Sequence, residues 1–299
     1  MYPVLFEIPG LGWPLRSFGV LVAVGFLLGL HIWRKLLERH GEDPKGDPER
    51  ANAAALAILI GVIAGGRLMY VIVEISKYLA LDEPTGREIG AQYLADPFKI
   101  FAVWEGGLVM YGGFLGAIAL GLLSARKHGL NPLNALDTAL IGGFVGQVIG
   151  RIGCLAVGDD YGSVVPAGSE SLPFPLTITV PSLDWLRANP ESLFEHDLAG
   201  KTLWATQVWM SINALIIVFT GIWLLKRRRY FGQVALWILL HYSVTRLAIE
   251  FFRGDSVRGL WLGGTLSTSQ LISIPAAVIA ILLLIRFRNH RDPRIPAPA

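Results

Sequence analysis

Cysteine is nearly absent from this chain. Cys154 stands alone among 299 residues, so no internal disulfide can form. Charge is also scarce: 16% of residues are Asp, Glu, Lys or Arg, where a soluble domain usually carries about 25%. With a mean hydropathy of +0.51, that shortage excludes an ordinary soluble surface. No positively charged region precedes the first apolar run, and no small-residue cleavage site is found there. No removable signal peptide is therefore expected. A channel usually needs rings of like residues, and one chain of this pattern does not supply them.

What the chain has is apolar sequence in long blocks. A helix crosses a hydrocarbon core of about 30 Å with roughly 20 apolar residues. Seven blocks have that character: 18–37, 51–81, 108–125, 137–157, 205–225, 231–252 and 265–285. An all-α polytopic membrane protein with about seven transmembrane helices is expected. The second block is longer than a span needs and is expected to tilt or to end outside the bilayer.

The Lys and Arg residues give the orientation. Arg34, Lys35, Arg39, Lys45 and Arg50 follow the first block, Arg126 and Lys127 the third, 226–229 the fifth, and Arg286, Arg288, Arg291 and Arg294 the seventh. The opposite connections hold only Lys77, Arg87, Lys99, Arg187, Lys201, Arg253 and Arg258. This bias puts the C-terminus in the cytoplasm and the N-terminus outside. The pI near 9.0 is thus a topology signal, and no nucleic-acid partner is expected. The longest non-apolar stretch, 158–204, is rich in Pro, Ser and acidic residues. It is expected to form a small extracytoplasmic cap with short strands or helices. Residues 291–299 hold three prolines and are expected to be a disordered cytoplasmic tail.

Charge kept inside lipid costs roughly 2.5–3.5 kcal/mol at mid-bilayer, so it marks candidate sites. Arg67 follows Gly65-Gly66 in an otherwise apolar helix, and Glu74 shares its face; the pair could serve a ligand or pin two helices. In Trp104-Glu-Gly-Gly-Leu-Val-Met-Tyr-Gly-Gly113, Gly112 and Gly113 permit close approach of a backbone or ligand. A helix start there would attract an anion, and tight helix packing fits equally well. Arg151 lies late in its block, with Asp159 and Asp160 eight and nine residues on and a stripe of Gly142, Gly146 and Gly150. Its planar fork suits phosphate, while a packing stripe with a snorkelling arginine is the alternative. Arg246, Glu250 and Arg253 project from one helix face. Arg67, Arg151 and Arg246 outline an outer-leaflet pocket for an anionic lipid.

These segments occur in an order that resembles the prolipoprotein diacylglyceryl transferase family. The likeness runs along nearly the whole chain: Gly65-Gly-Arg-Leu68, Trp104-x-Gly-Gly with Gly112-Gly113, Gly150-Arg-Ile-Gly153, Thr206-Gln207, Arg246 with Glu250-Phe-Phe-Arg253, and Ser269-Gln-Leu-Ile-Ser-Ile-Pro275. The resemblance implies a protein of the bacterial cytoplasmic (inner) membrane. It would move the diacylglyceryl group of phosphatidylglycerol to the lipobox cysteine thiol of a preprolipoprotein and release glycerol phosphate. No metal or cofactor is implied, and a monomer is expected. Arg151, Gly162, Arg246 and Glu250 keep the family pattern. Tyr111 stands where the family has histidine before Gly-Gly, and Cys154 stands for asparagine after Arg-x-Gly. Asp159 replaces glutamate, Val157 a second asparagine, Phe18 a tyrosine, and Trp204-Ala205 a His-Pro pair.

The implied reaction is attack by a thiolate on the lipid carbon that bears the phosphodiester oxygen. The departing phosphate gains charge, which fixed cations in a dry site stabilise, so Arg151 and Arg246 are the expected catalytic cations. The thiol must lose its proton, since free cysteine titrates near pH 8.5. Tyr111, with a reference pKa near 10, and Asp159 are the two candidate bases, and Tyr111 could instead orient the phosphate. Arg67, Gly112, Gly113, Cys154, Gly162, Glu250 and Arg253 are expected to line the substrate site, with Cys154 as a small apolar residue. Two other readings stand beside this one. Tyr111 and Cys154 would suit a homologue that binds anionic lipid or lipoprotein without transfer. The intramembrane charges would permit a transporter, which the ordered motifs argue against.

Overall fold

The computed structural model describes residues 1–7, 14–80, 84–103, 106–254, 260–261 and 266–295, without the side chains of 80–88, 260 and 261. Trp104 and Glu105 of the second polar segment, and residues 296–299 of the expected tail, lie outside the described residues. The described chain is mostly helical: α1 (Ser17–His40), α2 (Asp47–Ala80), α3 (Pro84–Ala95), α4 (Met110–Lys127), α5 (Pro132–Val157), α6 (Leu183–Ala188), α7 (Thr206–Leu225), α8 (Gln233–Glu250) and α9 (Thr268–Arg286). Short antiparallel pairs join β1 (Val4–Glu7) to β2 (Pro14–Arg16), β3 (Thr177–Thr179) to β4 (Thr202–Trp204), and β5 (Leu260–Trp261) to β6 (Leu266–Ser267).

Five helices, α1, α2, α5, α7 and α9, are long and apolar enough to cross a membrane, which makes this a polytopic membrane protein. The other two apolar blocks form α4 and α8, of 18 residues each. Within that length α4 carries Arg126 and Lys127, and α8 carries Arg246 and Glu250. Helix α2 has 34 residues, roughly 51 Å at 1.5 Å per residue. It exceeds the hydrocarbon thickness, as the length of its block suggested.

Local chemistry explains two boundaries. Helix α5 begins at Pro132, five residues before the apolar block. Proline suits a first helical position, and the Asn131 side chain accepts from the amides of Leu133 (3.1 Å) and Asn134 (3.2 Å). Helix α9 opens with a capping box between Ser267 and Gln270.

The chain divides into two compact units, Arg34–Leu136 and Met1–Trp33 with Asp137–Ala299. The first unit is built on α2 against α4. A methyl group on Gly65 would strike the Gly112 carbonyl, and one on Gly112 would strike the Gly65 carbonyl; Gly61 and Gly116 repeat the relation one turn away. Small residues at four-residue spacing on both helices let the backbones touch. Helix α3 lies on α2, with Gly90 against the Glu74 carbonyl and Tyr78.

In the second unit, Gly25 and Gly29 of α1 meet Gly146 and Gly142 of α5 in the same way. Gly150, the third member of that stripe, faces no neighbour within 4 Å among the described residues. Asp137 is completely buried. Its carboxylate accepts from Arg228 Nη1 (2.9 Å) and from the amides of Gly232 (2.9 Å) and Ala235 (2.8 Å). It thus caps the start of α8 from another helix, where a negative charge is favoured. Residues 158–204 enclose a small apolar core of Tyr161, Ile178, Val180, Leu186, Phe194 and Leu203. The tail was expected to be disordered, but its first residues are held. The Asp292 amide donates to the Arg229 carbonyl (2.8 Å), and the Arg294 guanidinium lies 4.9 Å from the Phe231 ring centre.

Candidate active site

The charged centre of the second unit forms where α5 ends. The chain leaves the helix through Gly158 and Asp160, both in the left-handed backbone region at φ 80° and 54°. Aspartate is one of the few residues that adopt this conformation readily. The first two residues of α7 hold the turn. Thr206 Oγ1 donates to the Asp160 carbonyl (2.8 Å) and Gln207 Nε2 to the Asp159 carbonyl (2.9 Å), and both side chains are buried. The Asp160 amide also donates to Asp159 Oδ1 at 2.9 Å.

This turn aims the Asp160 carboxylate at two arginines. One oxygen pairs with Arg151 and the other with Arg253. Burial opposes ionisation of Asp160, but Arg151 and Arg253 outweigh it and hold the carboxyl below its usual range, with Arg246 adding to the effect. Arg246 itself pairs with Glu250, both nearly buried at 9% and 3% exposure. The shared face expected for Arg246, Glu250 and Arg253 therefore breaks after Glu250. Helix α8 ends there, and Arg253 turns to Asp160.

Backbone contacts fix Arg253. The Ser163 amide donates to the Phe252 carbonyl (2.8 Å) and the Gly254 amide to the Tyr161 carbonyl (3.2 Å). Gly162 bridges to Arg253, and its amide donates to the Trp204 carbonyl (3.1 Å). A methyl group on Gly162 would collide with Trp204. Close packing of backbone accounts for this glycine.

Cys154 is buried, with its sulfur 4.0 Å from Arg151 Nη1. The Cys154 sulfur and the Asp159 and Asp160 carboxylates lie within 4.8 Å of one another. The spacing would suit a metal, but the electrostatics do not. Two guanidinium groups already neutralise Asp160, and their charge would repel a cation while attracting an anion.

Arg67, Tyr111, Gly112 and Gly113 belong to the other unit. Arg67 is 3% exposed, and it does not make the ion pair with Glu74 that their spacing suggested. Glu74 pairs with Lys77 at 3.0 Å. The Arg67 guanidinium donates to the carbonyls of Lys99 (2.9 Å), Ile100 (3.0 Å), Gly106 (2.5 Å) and Gly107 (3.4 Å), beside the rings of Tyr70 and Tyr93. It gathers a loop where an anion contact was expected. Tyr111 is the second residue of α4. Gly112 and Gly113 are buried against α2, with Gly113 facing the Val62 carbonyl.

Asp159 is the carboxylate expected to act at this site, yet Asp160 is the shared partner of the arginines. Helical spacing gives no guide beyond Gly158, where the left-handed turn decides which carboxylate points inward.

The model of the prolipoprotein diacylglyceryl transferase family matches residues 3–286. A phosphatidylglycerol–prolipoprotein diacylglyceryl transferase of Geobacter sulfurreducens is 29% identical over 283 residues, covering 95% of this chain and 94% of that protein. A protein of the same name from Neisseria meningitidis serogroup B is 33% identical over 246 residues, 77% of each chain. Another, from Pasteurella multocida, is 28% identical over 96% of this chain and 93% of its own. With the match spanning almost every helix, this chain belongs to the prolipoprotein diacylglyceryl transferase family.

Proposed function

We propose that this protein transfers the diacylglyceryl group of phosphatidylglycerol to the lipobox cysteine thiol of preprolipoproteins. The observation that carries the reading is the half-buried cluster of Arg151, Asp160 and Arg253 beside the buried pair of Arg246 and Glu250, in a chain of this family. The thiolate sulfur attacks the glycerol carbon that bears the phosphodiester oxygen. A C–S bond forms, the C–O bond breaks, and glycerol phosphate leaves with the electron pair. Arg151 and Arg246 stabilise the charge that gathers on the departing phosphate. Arg253 and Asp160 hold Arg151 in place, and Glu250 does the same for Arg246. Of the two candidate bases, Asp159 lies in the same unit as Arg151, beside Cys154, and takes the thiol proton. Tyr111 is left the lesser role of orienting the phosphate.

The protein crosses the bacterial cytoplasmic membrane seven times, with α4 and α8 as the two more polar spans. Its N-terminus is outside and its C-terminus in the cytoplasm, in keeping with the Lys and Arg bias. The 158–204 segment then lies outside and receives the lipobox peptide. The protein acts as a monomer.

The test is transfer by purified protein from phosphatidylglycerol to a lipobox peptide, followed by peptide mass and released glycerol phosphate. A diacylglyceryl mass gain is expected, and Arg151→Ala and Arg246→Ala should abolish it while the protein still inserts. Full activity in both variants would remove the arginines from the chemistry. No transfer by folded protein that still binds the lipid would favour a binding homologue, the reading that Tyr111 and Cys154 suggest.

A further inference from the structure

Gln147 lies in the apolar middle of α5, and its amide nitrogen is buried with no hydrogen-bond partner among the described residues. A polar side chain kept inside a membrane helix calls for a partner. Its position says where that partner would be. Arg151 is one turn further along the same face, about 6 Å at 1.5 Å per residue. Gly142 and Gly146, on another face, pack against α1. Phe144, three residues before Gln147, meets the Tyr242 ring of α8 edge-on at 5.5 Å, and Tyr242 is one turn before Arg246. The strip of Phe144, Gln147 and Arg151 is thus turned toward the strip of Tyr242, Arg246 and Glu250.

A glycerophospholipid held by Arg151 through its phosphate would extend along this strip. Its ester carbonyls lie one glycerol unit from the phosphate, comparable to one helical turn of about 5.4 Å. They are acceptors that need a donor once removed from water. We infer that Gln147 donates a hydrogen bond to an ester carbonyl of the bound diacylglycerol while Arg151 holds its phosphodiester, so that the site reads the ester linkage as well as the headgroup. The inference rests on the proposed lipid substrate. It adds a second recognition point, on the chain side of the bond that breaks.

The test compares dioleoyl phosphatidylglycerol with its dioleyl ether counterpart, which has the same headgroup and chains but no carbonyl. Each would be titrated into lipid-stripped protein in detergent. Wild type should hold the ester lipid about fivefold more tightly, the worth of one ordinary hydrogen bond. Gln147→Leu should lose that preference by weakening on the ester lipid alone, and unchanged affinity for the ether lipid would show that the variant is folded. Equal affinity of wild type for both lipids would overturn the assignment without any variant. An ester preference that survives in Gln147→Leu would overturn it too. Peptide transfer by wild type is measured separately. Ester preference without transfer would sink the enzymatic reading alone, and transfer without ester preference would sink only the role of Gln147.

Discussion

Asp160 holds Arg253, 93 residues further along the chain, with one carboxylate oxygen while its other oxygen takes Arg151. One side chain in a left-handed turn thereby ties the end of α5 to the residues that follow α8. Asparagine tolerates the same backbone, so Asp160→Asn should keep the turn and remove only the charge. Transfer should fall about tenfold, chiefly through a higher KM for phosphatidylglycerol, because two guanidinium groups lose the anion that positions them. An unchanged KM would show that the arginines are held in place without it.

The same pairs set a pH dependence. Burial raises the Asp160 pKa, but Arg151 and Arg253 more than offset this and leave it below its ordinary 3.8. A lowered pKa means the stabilisation is complete above the ordinary value and is lost as pH falls through the lowered one. Lipid retention should therefore hold level from neutral pH down to the ordinary carboxylate range and weaken only in stronger acid. Retention that declines between pH 7 and 5 would point to another group.

Asp159→Asn should slow transfer by about 100-fold, the loss expected when a general base is removed, with phosphatidylglycerol still retained. Tyr111→Phe should have a smaller effect. A wild-type rate in that variant would exclude any role for the hydroxyl, and a collapse as large as that of Asp159→Asn would make Tyr111 the base. Cys154→Ser should remain active, since Cys154 fills a buried gap and forms no covalent lipid intermediate.

Asp137→Ala leaves Arg228 buried without its partner and strips two amides at the start of α8 of their acceptor. Breaking a buried pair in this way costs about 3–5 kcal/mol. A clear drop in the unfolding temperature of detergent-solubilised protein is expected, and Asp137→Asn should recover part of it by keeping hydrogen bonds to the amides. No drop in either variant would mean that the pair adds nothing to stability.

Gly112→Ala separates a packing role from a ligand role. The added methyl would meet the Gly65 carbonyl and Met69, and overpacking of this kind costs about 1–3 kcal/mol. Lower stability with normal lipid affinity in the folded fraction is expected. Normal stability with lost lipid binding would return Gly112 to the substrate site.

The long helices were legible because their causes are local. Apolar runs place α1, α7 and α9 to within a few residues, and hydrogen bonding four residues apart makes each run a helix in lipid. The pairing of Arg246 with Glu250 follows from the same spacing. Helix α3 was not read, being short and mixed in character. Asn131 and Pro132 moved the start of α5 outward by a capping effect that an apolar count does not weigh.

The amino-acid order by itself determined the membrane class, the long apolar helices and the likeness to a transferase family. Only the tertiary structure decided that Arg67 gathers loop carbonyls, that Arg253 leaves the face of Arg246, and that Asp160 and not Asp159 is the shared partner of two arginines. Arg67 lies inside α2, and its partners are carbonyls of a loop more than 30 residues away; for Arg253 and Asp160 the physical reason is that they lie past helix ends. Within a helix, side-chain direction repeats with the backbone and can be counted along the sequence. Past a helix end, it depends on a few turn dihedrals and on distant partners such as Thr206 and Gln207, which meet the turn only once the chain has folded.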